Sequence, residues 1–123
     1  MLNRRILVLE SKVSEQTFRL VTRSDFDGLV CAVLFKDLGM IDDILFVHPK
    51  DMQDGIIEIG PNDITTNLPY VAGCHLSFDH HASEVKRRGD NDPDNHIIDT
   101  EAPSAARVVY DYYGGSKRFP KVS

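Results

Sequence analysis

The sequence predicts an α/β domain, doubly wound, with a mainly parallel sheet of about five strands and helices on both faces. Three observations carry this. Short apolar runs recur along the chain, each closed by Pro, Gly, Asn or Asp. Segments of helical spacing lie between them, so strands and helices alternate. Carboxylates and imidazoles stand where the apolar runs end, which is where ligands bind in sheets of this kind.

The chain has 123 residues, enough for one domain and too few for two. Hydrophobic residues make up 41% and charged residues 27%, the balance of an ordinary globular protein. The net charge of -5 excludes polyanion binding by bulk field. A phosphate-bearing ligand then needs local cations or a metal. Cys31 and Cys74 form no CxxC pair, and two thiols point to a reducing compartment rather than a disulfide scaffold. The run Ile6 to Leu9 after Arg4-Arg5 is too short for a signal peptide, and Glu10 and Lys12 interrupt it. No apolar run approaches the roughly 20 residues needed to span a bilayer. The expected location is cytoplasmic.

Residues 1–16 form an N-terminal extension in which Leu2, Ile6, Leu9 and Val13 fit a helical stripe. Thr17 to Thr22 has strand composition and leads into the turn Arg23-Ser24-Asp25-Phe26-Asp27-Gly28. Leu29 to Leu38 is a helix apolar almost all round, with Asp25 or Asp27 at its start and Gly39 at its end. Ile44 to Val47 is a second strand, stopped by His48-Pro49. A short turn of helix is expected in Asp51 to Ile57. Gly60-Pro61-Asn62 is a turn before a third strand, Asp63 to Asn67. Cys74 to Asp79 is a fourth strand, and Ala82 to Arg88 a short helix. His96 to Ile98 is a fifth strand. Ala102 to Tyr113 is a helix with Ala105, Ala106, Val109 and Tyr110 on one face and Pro103 in its first turn. Gly114-Gly115 ends it, and residues 116–123 are a tail without periodicity.

In this arrangement the carboxyl ends of the strands bring together Asp25 and Asp27, His48, Asn67, and Asp79-His80-His81. Two aspartates two residues apart repel unless a counter-charge is present, and a divalent ion is the usual one. Carboxylate with imidazole suits a divalent first-row metal better than a structural zinc site. The set matches a two-metal phosphohydrolase, which activates water with one ion and clamps the attacking and leaving oxygens with the pair. The plainer reading makes one aspartate a helix cap and leaves the other solvated.

SDFDG before a helix, then FDHH, then APSAARVVYDYYGG resembles the N-terminal catalytic domain of the DHH phosphoesterase superfamily, and within it the bacterial exopolyphosphatase-related proteins. The resemblance covers residues 17–115. It implies a hydrolase with Mn2+ or Mg2+, possibly two ions, that cleaves a phosphodiester or phosphoanhydride bond with a metal-activated water. Carried over by position, it implies Asp25, Asp27 and His80 as metal ligands, Asp79 in support and His81 facing the substrate phosphate. Where the family's bridging aspartate stands, this chain has Asn67; Asp63 is the alternative ligand if the third strand is misplaced. Arg23 stands two residues before the first aspartate, near the place where many members have a histidine. The family's fourth aspartate, expected beyond the helix that ends near Gly115, and its C-terminal substrate-binding domain are missing, so the chain reads as a fragment of a longer protein or as a natural remnant. The implied substrates are polyphosphate, a nucleotide or an oligonucleotide.

Weaker candidates for the substrate phosphate are Arg23, His48 and Arg87, the last within Lys86-Arg87-Arg88, a run that reads more readily as a solvated face. Zinc at Cys74, His75, His80 and His81 lacks paired spacing, and strand alternation separates Cys74 from His75. Tyr110, Tyr112 and Tyr113 read as core and rim rather than as base-stacking groups. Exposed apolar surface and a sheet edge point to a homo-oligomer. The alternative to an enzyme is a degenerate or truncated domain that binds metal or a phosphorylated ligand without turnover.

Overall fold

A computed structural model describes residues 16–89 and 92–121, leaving out the side chains of residues 87 and 88. The stripe expected on Leu2, Ile6, Leu9 and Val13 lies outside the described residues, as does the side chain of Arg87. The elements are β1 (Phe18–Arg23), α1 (Phe26–Leu38), β2 (Ile41–Val47), α2 (Pro49–Gln53), β3 (Asp63–Thr66), β4 (Leu76–Asp79), α3 (Ala82–Arg88), β5 (His96–Ile98) and α4 (Ala105–Tyr112). A 3-10 turn at Gly115–Lys117 follows. The strands lie in the order β2-β1-β3-β4-β5, and every neighbouring pair is parallel. The chain runs outward from β1 to β2, then returns to the other side of β1 with β3. The switch point between β1 and β3 opens a crevice at their carboxyl ends.

Strand alternation sorts the core into two layers. Leu20, Ile64 and Phe78 turn to one face and meet Leu34 and Phe35 of α1 and Val109 of α4. Val21 and Val47 turn to the other face and meet Met52 of α2 and Leu68. Buried hydroxyls are satisfied within the sheet: Thr65 Oγ1 donates to Ser77 Oγ at 2.9 Å, and Thr66 Oγ1 to Thr22 Oγ1 at 2.7 Å.

Three expectations need correction. First, α1 is not buried all round. Among the described residues nothing covers its outer side, and Phe26, Leu29 and Val33 are 78%, 50% and 54% exposed. Second, α4 starts at Ala105. Ser104 is its extended N-cap and accepts from the Arg107 N–H at 3.1 Å. Pro103 therefore precedes the cap, and it disfavours helical geometry at Ala102. Third, residues 116–121 are not a tail outside the fold. Phe119 is 1% exposed within the core and stacks on Tyr110. Arg118 donates to the Asp37 side chain at 3.1 Å. A single aromatic among polar residues leaves no periodicity to read.

Both cysteines are free and buried. Burial pushes the Cys31 thiol up to about 12 and raises that of Cys74. We expect a thiol reagent to leave both untouched in the folded protein at neutral pH and to modify both after denaturation. The folded state holds the Cys31 proton more tightly than the unfolded chain, so its contribution to stability is complete below about 9 and is lost as pH rises toward about 12, and Cys74 acts in the same direction. Urea unfolding across that range measures it. Tyr113, raised to about 12 chiefly by burial, acts in the same sense.

Candidate functional site

Strand register builds the site. Thr22 pairs with Thr66, and Thr66 with Phe78. One step further along each strand stand Arg23, Asn67 and Asp79, a row across the carboxyl edge. By alternation their side chains turn to the face opposite Leu20, Ile64 and Phe78. The row straddles the switch point.

The two aspartates of the SDFDG turn do different work. Asp25 is the extended N-cap of α1, and its Oδ1 accepts from the Gly28 N–H at 2.8 Å. Its Oδ2 lies 3.3 Å from Arg23 Nε and accepts from Asn67 Nδ2 at 3.2 Å. Asp27 reaches across to the start of α4, where its two carboxylate oxygens accept from the Ala105 and Ala106 N–H groups, each at 2.9 Å. The counter-charge that two close carboxylates require is therefore already present in the protein: a guanidinium for Asp25 and a helix N-terminus for Asp27.

Asn67 is buried and has a positive φ of 61°, a conformation that asparagine tolerates better than most residues. Its amide nitrogen, rather than an oxygen, faces Asp25. The residue read as a metal ligand thus ties β3 to the capping turn of α1.

The Asp79-His80-His81 segment holds both imidazoles in set orientations. Asp79, 1% exposed, accepts through Oδ1 from the His80 N–H at 2.8 Å and from His81 Nδ1 at 2.6 Å. His80 Nδ1 is 3.2 Å from the Ala102 carbonyl. With the proton on Nδ1 in both rings, each Nε2 carries a lone pair. This is the arrangement in which histidines ligate metals, the second nitrogen being held by a carboxylate or carbonyl. One ligand atom each from Asp79, His80 and His81 lie within 4.8 Å of one another. The donor chemistry fits a divalent cation.

The other candidates fall elsewhere. Asp63 is corrected as a ligand: it opens β3, at the opposite end from Asn67, and its carboxylate takes Arg19 Nε at 2.8 Å and the Gly60 N–H at 2.8 Å. His48 stands at the end of β2, where its Nδ1 caps α2 by accepting from the Lys50 N–H at 3.2 Å. His75 stacks on Phe18 with ring centres 4.1 Å apart and does not join the other histidines.

A cleft of about 700 Å3 opens over the row, with Arg23, Asn67, Asp79 and His81 among its lining residues. Its walls hold residues that sequence reasoning did not single out. Met52 and Gln53 come from α2, and Tyr70 and Ala72 from the loop between β3 and β4. Glu84 of α3 also lines it, and its Oε1 accepts from the Tyr70 N–H at 2.7 Å. The signal available for the loop was its run of apolar residues directly after a strand end.

No family model matches the chain, and no curated protein does. Among solved structures it is similar to the pGpG-specific phosphodiesterase PggH from Vibrio cholerae, at 62% sequence identity with a TM-score of 0.76. The similarity covers 85% of this chain and 32% of that one, so the chain spans about a third of the length of that protein. Among the described residues, no helix is long and apolar enough to cross a membrane.

Proposed function

We propose that this domain hydrolyses a phosphodiester bond in a short oligonucleotide, as part of a DHH-type site. The observation that carries the reading is that the hydrogen-bonded His81–Asp79 pair and Arg23 line one cleft at the carboxyl edge of the sheet. The similarity to a dinucleotide phosphodiesterase favours an oligonucleotide over the polyphosphate of the exopolyphosphatase-related proteins.

Each residue has a stated part. Arg23 binds non-bridging phosphate oxygens through its planar fork. Asp79 holds the His81 ring, so that His81 Nε2 is the atom left to meet a phosphoryl oxygen or a proton. His80, Asp25 and Asp27 would hold Mn2+ or Mg2+, with Asn67 beside them. A bound divalent ion supplies Lewis acidity to the phosphate and acidifies water. For Asp25 and Asp27 to bind it, they must give up part of their bonding to Arg23, Asn67 and α4.

Calorimetric titration with Mn2+, paired with an assay of pGpG cleavage, tests this. We expect saturable Mn2+ binding that falls about tenfold or more in His80→Ala, with cleavage lost alongside. Failure of the wild-type chain to bind Mn2+ would overturn the metal reading. Mn2+ binding without cleavage would favour the second reading, a domain that binds without turnover. The neutral Asn67 and the engagement of Asp27 by α4 are the observations that support that second reading.

A further inference from the structure

The outer side of α1 carries an apolar stripe that the other described residues leave uncovered. Phe26, Leu29 and Val33 stand at i, i+3 and i+7, on one face of the helix, and each is half exposed or more. Beside the stripe, Val30 and Leu34 line a cavity of about 500 Å3 with Pro103 and Tyr110. Val33 and Leu34 line a second, of about 390 Å3, with Phe119 and Pro120. The two cavities share Leu34, so a groove follows that side of α1. An apolar stripe beside a groove is a surface that an amphipathic helix fits.

The chain itself carries a segment with that pattern, and it enters the fold at one end of the stripe. The Phe18 N–H donates to the Met40 carbonyl at 2.8 Å, one residue beyond Gly39, which ends α1. Residues 1–15 therefore lead into β1 beside the carboxyl end of α1. Within them Leu2, Ile6, Leu9 and Val13 follow at helical spacing. As a helix, residues 2–13 would run about 17 Å, against about 20 Å for α1. A helix this short is marginal in water and needs a surface to pack on. Its direction is fixed by the link to β1. From Val13 to Phe18 the chain reaches at most about 18 Å, too little to bring Val13 to the far end of α1. The segment must lie parallel to α1, with Val13 at the Gly39 end. Charges then match. Lys36 and Asp37 flank the α1 stripe on opposite sides, as Glu10 and Lys12 flank that of the segment. The parallel arrangement sets Glu10 beside Lys36 and Lys12 beside Asp37, whose Oδ2 also accepts from Arg118.

We propose that residues 1–15 dock as a helix along α1, with Leu2, Ile6, Leu9 and Val13 on Phe26, Leu29 and Val33. The occupant is this chain's own segment and not a second copy. A tether of a few residues keeps the segment at high effective concentration over the stripe, which a separate molecule lacks. Because Phe26 follows Asp25 directly, the docked helix closes over the turn that holds Asp25.

The chain has no tryptophan, so Leu29→Trp in the full chain gives a single emitter on the stripe. Its emission should be blue-shifted and resist acrylamide quenching, and neither property should change on dilution. Adding Ile6→Asp with Leu9→Asp should shift the emission to the red and make quenching several-fold more effective, while circular dichroism shows the sheet intact. As a second readout, Leu9→Cys with Val33→Cys should close a disulfide within one chain in oxidised glutathione. Val8→Cys with Val33→Cys should not, because Val8 falls on the opposite face of the segment. Should Leu29→Trp itself lift the segment, the disulfide pair decides. An exposed tryptophan together with equal closure, or no closure, of the two cysteine pairs would overturn the proposal. So would protection that survives the paired aspartates. Protection lost on dilution, or a disulfide between chains, would overturn it in favour of a second copy.

Discussion

Gly28→Ala is expected to destabilise the domain by about 3 kcal/mol or more, among the largest effects of a single methyl group in this fold. A Cβ at this position would sit 2.0 Å from the Arg23 carbonyl oxygen and 2.9 Å from Thr22 Oγ1. The first contact is with backbone, so no side-chain rotation relieves it. Either α1 lifts from β1 or the turn that holds Asp25 opens. Both outcomes disturb the row of Arg23, Asn67 and Asp79, so loss of stability and loss of ligand binding should appear together. Gly39→Ala is the control. Gly39 also ends α1 but has a φ of 68° and no atom within 4 Å of an added Cβ. It should cost only about 1–2 kcal/mol, the strain of a left-handed alanine. Urea denaturation of the two variants checks the contrast, and equal losses would mean that close packing at Gly28 is not what the turn requires.

Asp27 separates two roles that the sequence superimposes. Its carboxylate joins α1 to α4 through the Ala105 and Ala106 N–H groups, 78 and 79 residues away along the chain. Asp27→Ala strips both acceptors from partly buried donors and should cost about 2–4 kcal/mol. Asp27→Asn keeps one acceptor oxygen and should cost clearly less. Mn2+ titration of the Asn variant then reads the metal role on a folded protein. A loss of Mn2+ affinity with near-normal stability would show that Asp27 ligates in addition to bracing α4. Unchanged Mn2+ affinity would leave it a brace alone. If Asp27→Ala unfolded at the same urea concentration as wild type, the bracing role itself would be wrong.

Much of the fold was legible because local rules and tertiary context agree. Gly39 ends α1 in the left-handed conformation, and α3 and β5 fall where their spacing predicts. Where the two disagree, the cause can be named. The start of α4 was read too early because Ala102 and Pro103 favour the first turn of a helix, whereas Ser104 is the better cap. Phe119 was passed over because one aromatic carries no period. The outer face of α1 looked like core because composition cannot report whether a second layer covers a helix.

The sequence by itself determined that strands alternate with helices and that Asp25, Asp27, Asp79, His80 and His81 stand where strands end. These follow from short-range patterning, in which each residue and its near neighbours settle the outcome. Only the tertiary structure decided what each polar atom touches. It assigned Asp25 to Arg23 and Asn67, Asp27 to α4, His81 to Asp79, and Asp63 to Arg19 at the far end of β3. Those partners lie up to 79 residues apart, except within the short turns. Strand order and register bring them together, and no local spacing encodes either, because parallel pairing is made through crossovers of many residues.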